Sequence, residues 1–156
     1  MANIPSRSRS FRVAVAACVL VASIASGIAA QTFRFSDFPS LETLSERPAS
    51  PDESTAPQSW AAVDPVIKDI VRGDIAKGGP NFAGAYYLAS VGCGSGCEVI
   101  YIIDLRDGKI FKAPGQATNG VLFQRDSRLM IIKEDPFYGL PRKYITFDGA
   151  LFGELN

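Results

Sequence analysis

The sequence predicts an α+β domain, an antiparallel β-meander of five to seven strands with one N-terminal amphipathic helix packed on it. Three observations carry this expectation. Short runs rich in Tyr, Ile, Val and Phe recur between residues 83 and 147, separated by Gly- and Asp-bearing turn signals. No helix-length segment lies between those runs, so successive strands pair as antiparallel neighbours. A single helical repeat, just after Asp64-Pro65, precedes them all. Length and composition agree: 156 residues, 47% apolar and 21% charged, suit one globular domain and exclude a collagen-like or wholly disordered chain.

In chain order, residues 1–30 read as an address. Arg7, Arg9 and Arg12 stand without an acidic neighbour, and Val13 to Ala30 is an uncharged run rich in Ala, Val and Ile. A basic segment, an apolar segment and small residues before polar sequence make a secretory signal peptide, here with cleavage after Ala29 or Ala30. A retained membrane anchor is the competing reading, since the run is about as long as a minimal spanning helix of ~17–20 residues. Its Ala/Ser/Gly content and small-residue end favour cleavage. Val15-Ala16-Ala17-Cys18 also resembles a lipobox, which would leave a lipoprotein anchored at Cys18. Only five apolar residues precede that cysteine, however, and the apolar run continues past it.

Removing the signal takes three of the 16 basic residues and none of the 16 acidic ones, leaving a net charge of about −3. No basic patch suggests nucleic acid, and no polybasic segment suggests an anionic membrane. Residues 31–59 read as an N-terminal arm and Pro-rich linker. Phe33, Phe35 and Phe38 have the spacing of a short edge strand over 33–38, docking on the domain. Pro39, Pro48, Pro51 and Pro57, interleaved with Ser, Glu and Asp, make about 44–58 a loose linker.

Residues 60–156 form the single α+β domain. Asp64 caps a helix that starts at Pro65, where a missing N–H costs nothing. Ile67, Ile70, Val71 and Ile75 make its apolar face, with Lys68, Asp69 and Arg72 turned away. Gly78-Gly79-Pro80 ends it. Strands are then expected at Ala83 to Val91, Glu98 to Leu105, Lys109 to Lys112, Gly120 to Gln124, Arg128 to Lys133 and Lys143 to Phe147. Turn signals separate them at Gly92 to Gly96, Asp107-Gly108 and Asp126-Ser127, and Asp148-Gly149 follows the last. Val99, Tyr101 and Ile103 alternate with Ile100 and Ile102, so that strand is central and covered on both faces.

The most specific feature is Gly92-Cys93-Gly94-Ser95-Gly96-Cys97. In an exported chain, an even pair of cysteines argues for one disulfide, here closing a hairpin whose cross-strand neighbours lie within bonding range. A ring this short is worth about 2 kcal/mol at most. Two sharper readings stay open beside this staple. The pair can exchange electrons, though the thioredoxin-like C-x-x-C is not present, or it can hold Cu(I). A copper site of this spacing usually recruits a distant His or Met, and the mature chain offers only Met130.

Catalytic sets are scarce. The sequence contains no histidine, which removes the commonest catalytic base and metal ligand and every Ser/His/Asp or Cys/His arrangement. Gly94-Ser95-Gly96 does not match a nucleophile elbow. Asp104 and Asp107 are near in sequence, but read as the solvated end of a strand and a hairpin turn. Asp126-Ser127-Arg128 reads as a turn in which the Asp side chain bonds local backbone. Aromatics are the better sign of binding. Tyr86 and Tyr87 point to opposite faces of one strand, and Phe137-Tyr138-Gly139 occupies a Pro-flanked loop, so these four aromatics form the candidate binding surface.

Asn81-Phe82-Ala83-Gly84, Gly92-Cys93-Gly94, Cys97, Ile103-Asp104, Gly108-Lys109 and Asp126-Ser127-Arg128-Leu129 resemble the pattern of a group of small exported bacterial proteins of unknown function. The resemblance spans roughly residues 33–147. Members often carry a His or another large residue where this chain has Ala85. It implies export and a shared fold, and no activity. Together these readings make a non-catalytic exported envelope protein, in the periplasm or outside the cell. It would bind a protein or cell-wall component as small inhibitors do, with no cofactor or metal and no stable membrane anchor. The alternative is a thiol–disulfide or Cu(I)-handling protein acting through Cys93 and Cys97.

Overall fold

A computed structural model of the chain describes residues 32–40 and 42–156, so the signal-peptide and Cys18 readings lie outside the described residues. The strands form two antiparallel sheets, one of three strands in the order β1-β2-β3 and one of four in the order β4-β5-β6-β7. The first contains β1 (Tyr86–Gly94), β2 (Cys97–Asp104) and β3 (Ile110–Lys112). The second contains β4 (Val121–Phe123), β5 (Leu129–Ile132), β6 (Lys143–Phe147) and β7 (Phe152–Leu155). The expected single meander is therefore divided: after β3 the chain keeps a last bridge from Ala117 to Glu98 of β2 and then leaves the first sheet to begin the second at β4. The turn at Asp148 leads into β7, a strand not assigned from sequence; the Asp148 carboxylate accepts the amides of Ala150 and Leu151.

Strand alternation explains the layering. Ile100 and Ile102 of β2 join Tyr86 and Leu88 of β1 against Met130, Ile132, Ile145 and Phe147 of the second sheet. Val99, Tyr101 and Ile103 point the other way with Ala89 and Val91, onto Trp60, Val63, Val71 and Ile75. The three-stranded sheet is thus sandwiched between a sheet and a helical layer. Phe147 sits at the centre of the first core, with the rings of Tyr86, Phe111 and Phe152 at 5.0, 5.3 and 4.9 Å. Each fully buried side chain of this kind contributes roughly 1.5–3 kcal/mol.

The helical layer holds α1 (Gln58–Ala61) and α2 (Pro65–Gly78). Asp64 accepts the amide of Val66 at 2.8 Å, and Gly79 closes the end at φ +66°. The buried stripe of α2 is Lys68, Val71 and Ile75, while Ile67 and Ile70 are exposed, which corrects the face expected from sequence. Lys68 takes the inward place because its ammonium lies over the Trp60 ring, 5.9 Å from the centroid, and reaches Glu53 at 3.3 Å, keeping the charge paired at the edge.

The N-terminal segments differ from expectation in kind. Residues 33–38 are no strand: Phe35–Asp37 is a single 3-10 turn, followed by an isolated bridge between Pro39 and Ser127. The Ser127 hydroxyl lies 2.9 and 2.7 Å from the carbonyls of Phe35 and Phe38, so Ser127, rather than Asp126, organises that turn. Phe33 packs edge-on to Tyr144 at 5.1 Å. Residues 42–52 are not a loose linker but a strap. Leu44 donates to the Gly84 carbonyl, Ala49 to that of Leu105 and Asp52 to that of Gly108, at 3.2, 2.8 and 2.8 Å. Gly84 and Gly108, both in the pattern noted above, have left-handed φ of +81° and +82° and lie directly beneath this strap.

Candidate functional site

The hairpin between β1 and β2 carries the cysteines. Gly92 pairs with Glu98 and Gly94 with Cys97, so Cys93 is the extra residue of a β-bulge rather than a cross-strand neighbour. The bulge still brings the Cys93 and Cys97 Cα atoms to 5.3 Å, and the two form a disulfide. Cys97 is half-buried, and the exposed Cys93 stands at the lip of a cleft of about 410 Å³ bounded by Val63, Ile67, Val91, Val99 and Tyr101. Among the described residues, no group of three His, Cys, Asp or Glu side chains is placed to hold a metal ion.

Tyr86 does not belong to a surface. It is 2% exposed, and its hydroxyl accepts from Arg106 Nη2 at 2.5 Å. Burial and the neighbouring Asp104 charge push its phenol up to about 12. Arg106 also grips both oxygens of Asp104 and pairs with Glu42 of the strap. Asp104 is 4% exposed, correcting its reading as a solvated strand end. The pair clamps the strap at its N-terminal side. Tyr87 is half-buried over the other core, its hydroxyl donating to Asp74 at 3.4 Å. The four aromatics singled out from sequence therefore do not come together: Tyr86 is interior, Tyr87 lines α2, and only Phe137 and Tyr138 stand free.

Those two are presented by a tight excursion between β5 and β6. Asp135 and Leu140 exchange both backbone hydrogen bonds, each 2.9 Å, closing the loop at its base. Inside it, Asp135 Oδ1 accepts the amides of Phe137 and Tyr138 at 3.0 and 3.2 Å. The Thr118 hydroxyl first, then those amides, hold the Asp135 carboxyl below the usual aspartate range. Gly139 completes the turn at φ +65°. The result is an ordered knuckle with Phe137 85% and Tyr138 60% exposed, their rings 4.9 Å apart at 88°. Sequence reading found the aromatics but not Asp135, whose place before Pro136 was the available sign of a turn initiator.

Beside the knuckle is a cavity of about 270 Å³ lined by Gln116, Thr118, Lys133, Leu140, Pro141 and Lys143, among others. Arg142 lies next to it with Nε and Nη2 on the two oxygens of Glu134, at 2.7 and 2.9 Å. Lys143 meets Glu154 at 3.4 Å, and among the described residues Lys133 has no ion-pair partner. Known protein families, curated proteins and solved structures were compared with the chain, and none matches it.

Proposed function

We propose that this protein is a non-catalytic exported envelope protein that binds a protein or cell-wall component through the Phe137–Tyr138 knuckle. One observation carries the reading: two large aromatic side chains stand in solvent on a loop whose backbone is already fixed by Asp135. Exposing Phe137 forfeits the roughly 1.5–3 kcal/mol that burying a large apolar side chain contributes. Fixing the loop beforehand also removes part of the ordering cost that a partner would otherwise meet, roughly 0.5–1.5 kcal/mol per immobilised side chain. Aromatic anchors of this kind dominate interface energetics. Export rests on the basic and apolar character of residues 1–30. Kinship with the small exported bacterial group belongs to the same proposal, supported by the structural use of its pattern residues Gly84, Asp104, Gly108 and Ser127.

The test is a photo-crosslinking amino acid at Phe137 in cells that make the protein, with the same group at Leu151, 71% exposed, as control. A discrete adduct at 137 and none at 151 is expected. Equal, diffuse labelling from both sites would sink the proposal.

Exposure of Cys93 favours a second reading, thiol–disulfide or Cu(I) handling through Cys93 and Cys97. Thiol trapping across redox buffers separates the two. A potential below about −300 mV marks a structural bond, and one near −120 to −200 mV marks exchange chemistry.

A further inference from the structure

We propose that the cavity beside the knuckle receives an acidic side chain of a protein partner, whose apolar pocket takes Phe137. This deepens the binding reading and rests on it. The cavity places two cations, Lys133 and Lys143, with the side-chain amide of Gln116, and no carboxylate is among its lining residues. The acids nearby are already engaged. Glu134 spends both oxygens on Arg142, and Asp135 faces the loop amides and Thr118. Glu154 reaches Lys143 only at 3.4 Å between two half-exposed groups, a contact that water screens strongly. Lys133 is half-buried and makes no ion-pair contact among the described residues, its charge acting on Glu134 only through space.

Size and shape select the class of partner. At about 270 Å³ the cavity falls below the ~300–1,000 Å³ usual for cofactors and drug-sized ligands, and suits one side chain. The knuckle beside it is a wedge. Two rings at 88° offer an edge beside a face, which inserts into a protein pocket better than it floors a sugar ring. Leu140 and Pro141 join wedge and cavity into one surface, so a partner that takes Phe137 lays its neighbouring residues over Lys133.

The experiment is selection of a random displayed-peptide library on the purified full chain, repeated with Lys133→Glu and Phe137→Ala and checked by titrating synthetic copies of the selected peptides. Peptides with Asp or Glu next to apolar residues are expected. Their affinity should fall roughly tenfold for Lys133→Glu, in the range of a close charge pair, while selection on that variant turns towards Lys and Arg. Lys133→Gln, with a smaller loss in the same direction, serves if the charge reversal disturbs the fold. Peptides that need Phe137 but show no acidic preference, or bind Lys133→Glu equally well, overturn this inference and leave the knuckle reading standing. Failure to select any Phe137-dependent peptide overturns both. Retention on polygalacturonate that depends on Lys133 and Phe137, with no acidic peptide selected, replaces the protein partner with an acidic glycan and so also overturns it.

Discussion

Gly84→Ala and Gly73→Ala add the same methyl group at two places, and the structure assigns them opposite signs. At Gly84 the new Cβ would stand 1.6 Å from the Glu42 carbonyl oxygen, on a residue with φ +81°. An L-residue in that region loses about 1–2 kcal/mol on backbone grounds alone. Relieving the overlap means lifting the strap, which breaks the Leu44 amide to Gly84 carbonyl bond, worth about 1 kcal/mol net. It also loosens the half-exposed Glu42–Arg106 pair, worth about 0–1 kcal/mol. The expected loss is therefore roughly 2–4 kcal/mol. Gly73 lies inside α2 with nothing within 4 Å of its would-be Cβ, so alanine there should raise stability by about 0.5–1 kcal/mol. Urea unfolding followed by circular dichroism reads both. With a slope near 2 kcal/mol per molar, the Gly84 midpoint should fall by about 1–2 M and the Gly73 midpoint rise by a few tenths. A Gly84→Ala protein as stable as the parent would refute the strap as a packed element of the fold.

Three more outcomes follow from named contacts. Cys93→Ser/Cys97→Ser should cost about 2 kcal/mol or less in the same unfolding assay, because the ring closed by the bond is so short; a cost beyond about 4 would mean that the bulge organises more than its own hairpin. Asp52, Asp135 and Asp148 all have carboxyls held below their ordinary value by hydrogen bonds they accept, the largest from Ser54, Thr118 and Leu151 respectively. The unfolded chain therefore binds their protons more readily than the folded one. Their stabilisation is complete above about pH 4 and fades as pH falls through the lowered values, and Asp135→Asn should flatten that acid limb in a melting series. Ultraviolet titration should find Tyr86 ionising at about 12, with Tyr87 also held up by burial and Asp74, and Tyr86→Phe should remove the step at about 12. Because the folded phenol holds its proton above the unfolded value near 10, its contribution to stability is lost as pH rises between the two.

Patterns that depend on near neighbours were legible in the sequence. Asp64-Pro65 and Gly79 bound α2, since caps act within one turn of backbone. Unbroken apolar alternation made β2 a strand buried on both faces, because successive side chains point to opposite sides wherever the sheet lies. The Cys93–Cys97 bond also follows from four intervening peptide links, whichever register the hairpin takes.

Contacts between distant segments decided the rest. Which face of α2 turned inward depended on Trp60 and Glu53, where a lysine ammonium set over the ring and paired with the carboxylate outcompeted the more apolar Ile67 and Ile70. Tyr86 was drawn inside by Arg106, twenty residues away, while Phe137 and Tyr138 stayed out because Asp135 holds their amides in a closed turn. The sequence alone shows that aromatics exist and roughly where the chain bends. Only packing decides which aromatic meets water, because each side chain's exposure is set by the remote surfaces the fold brings against it.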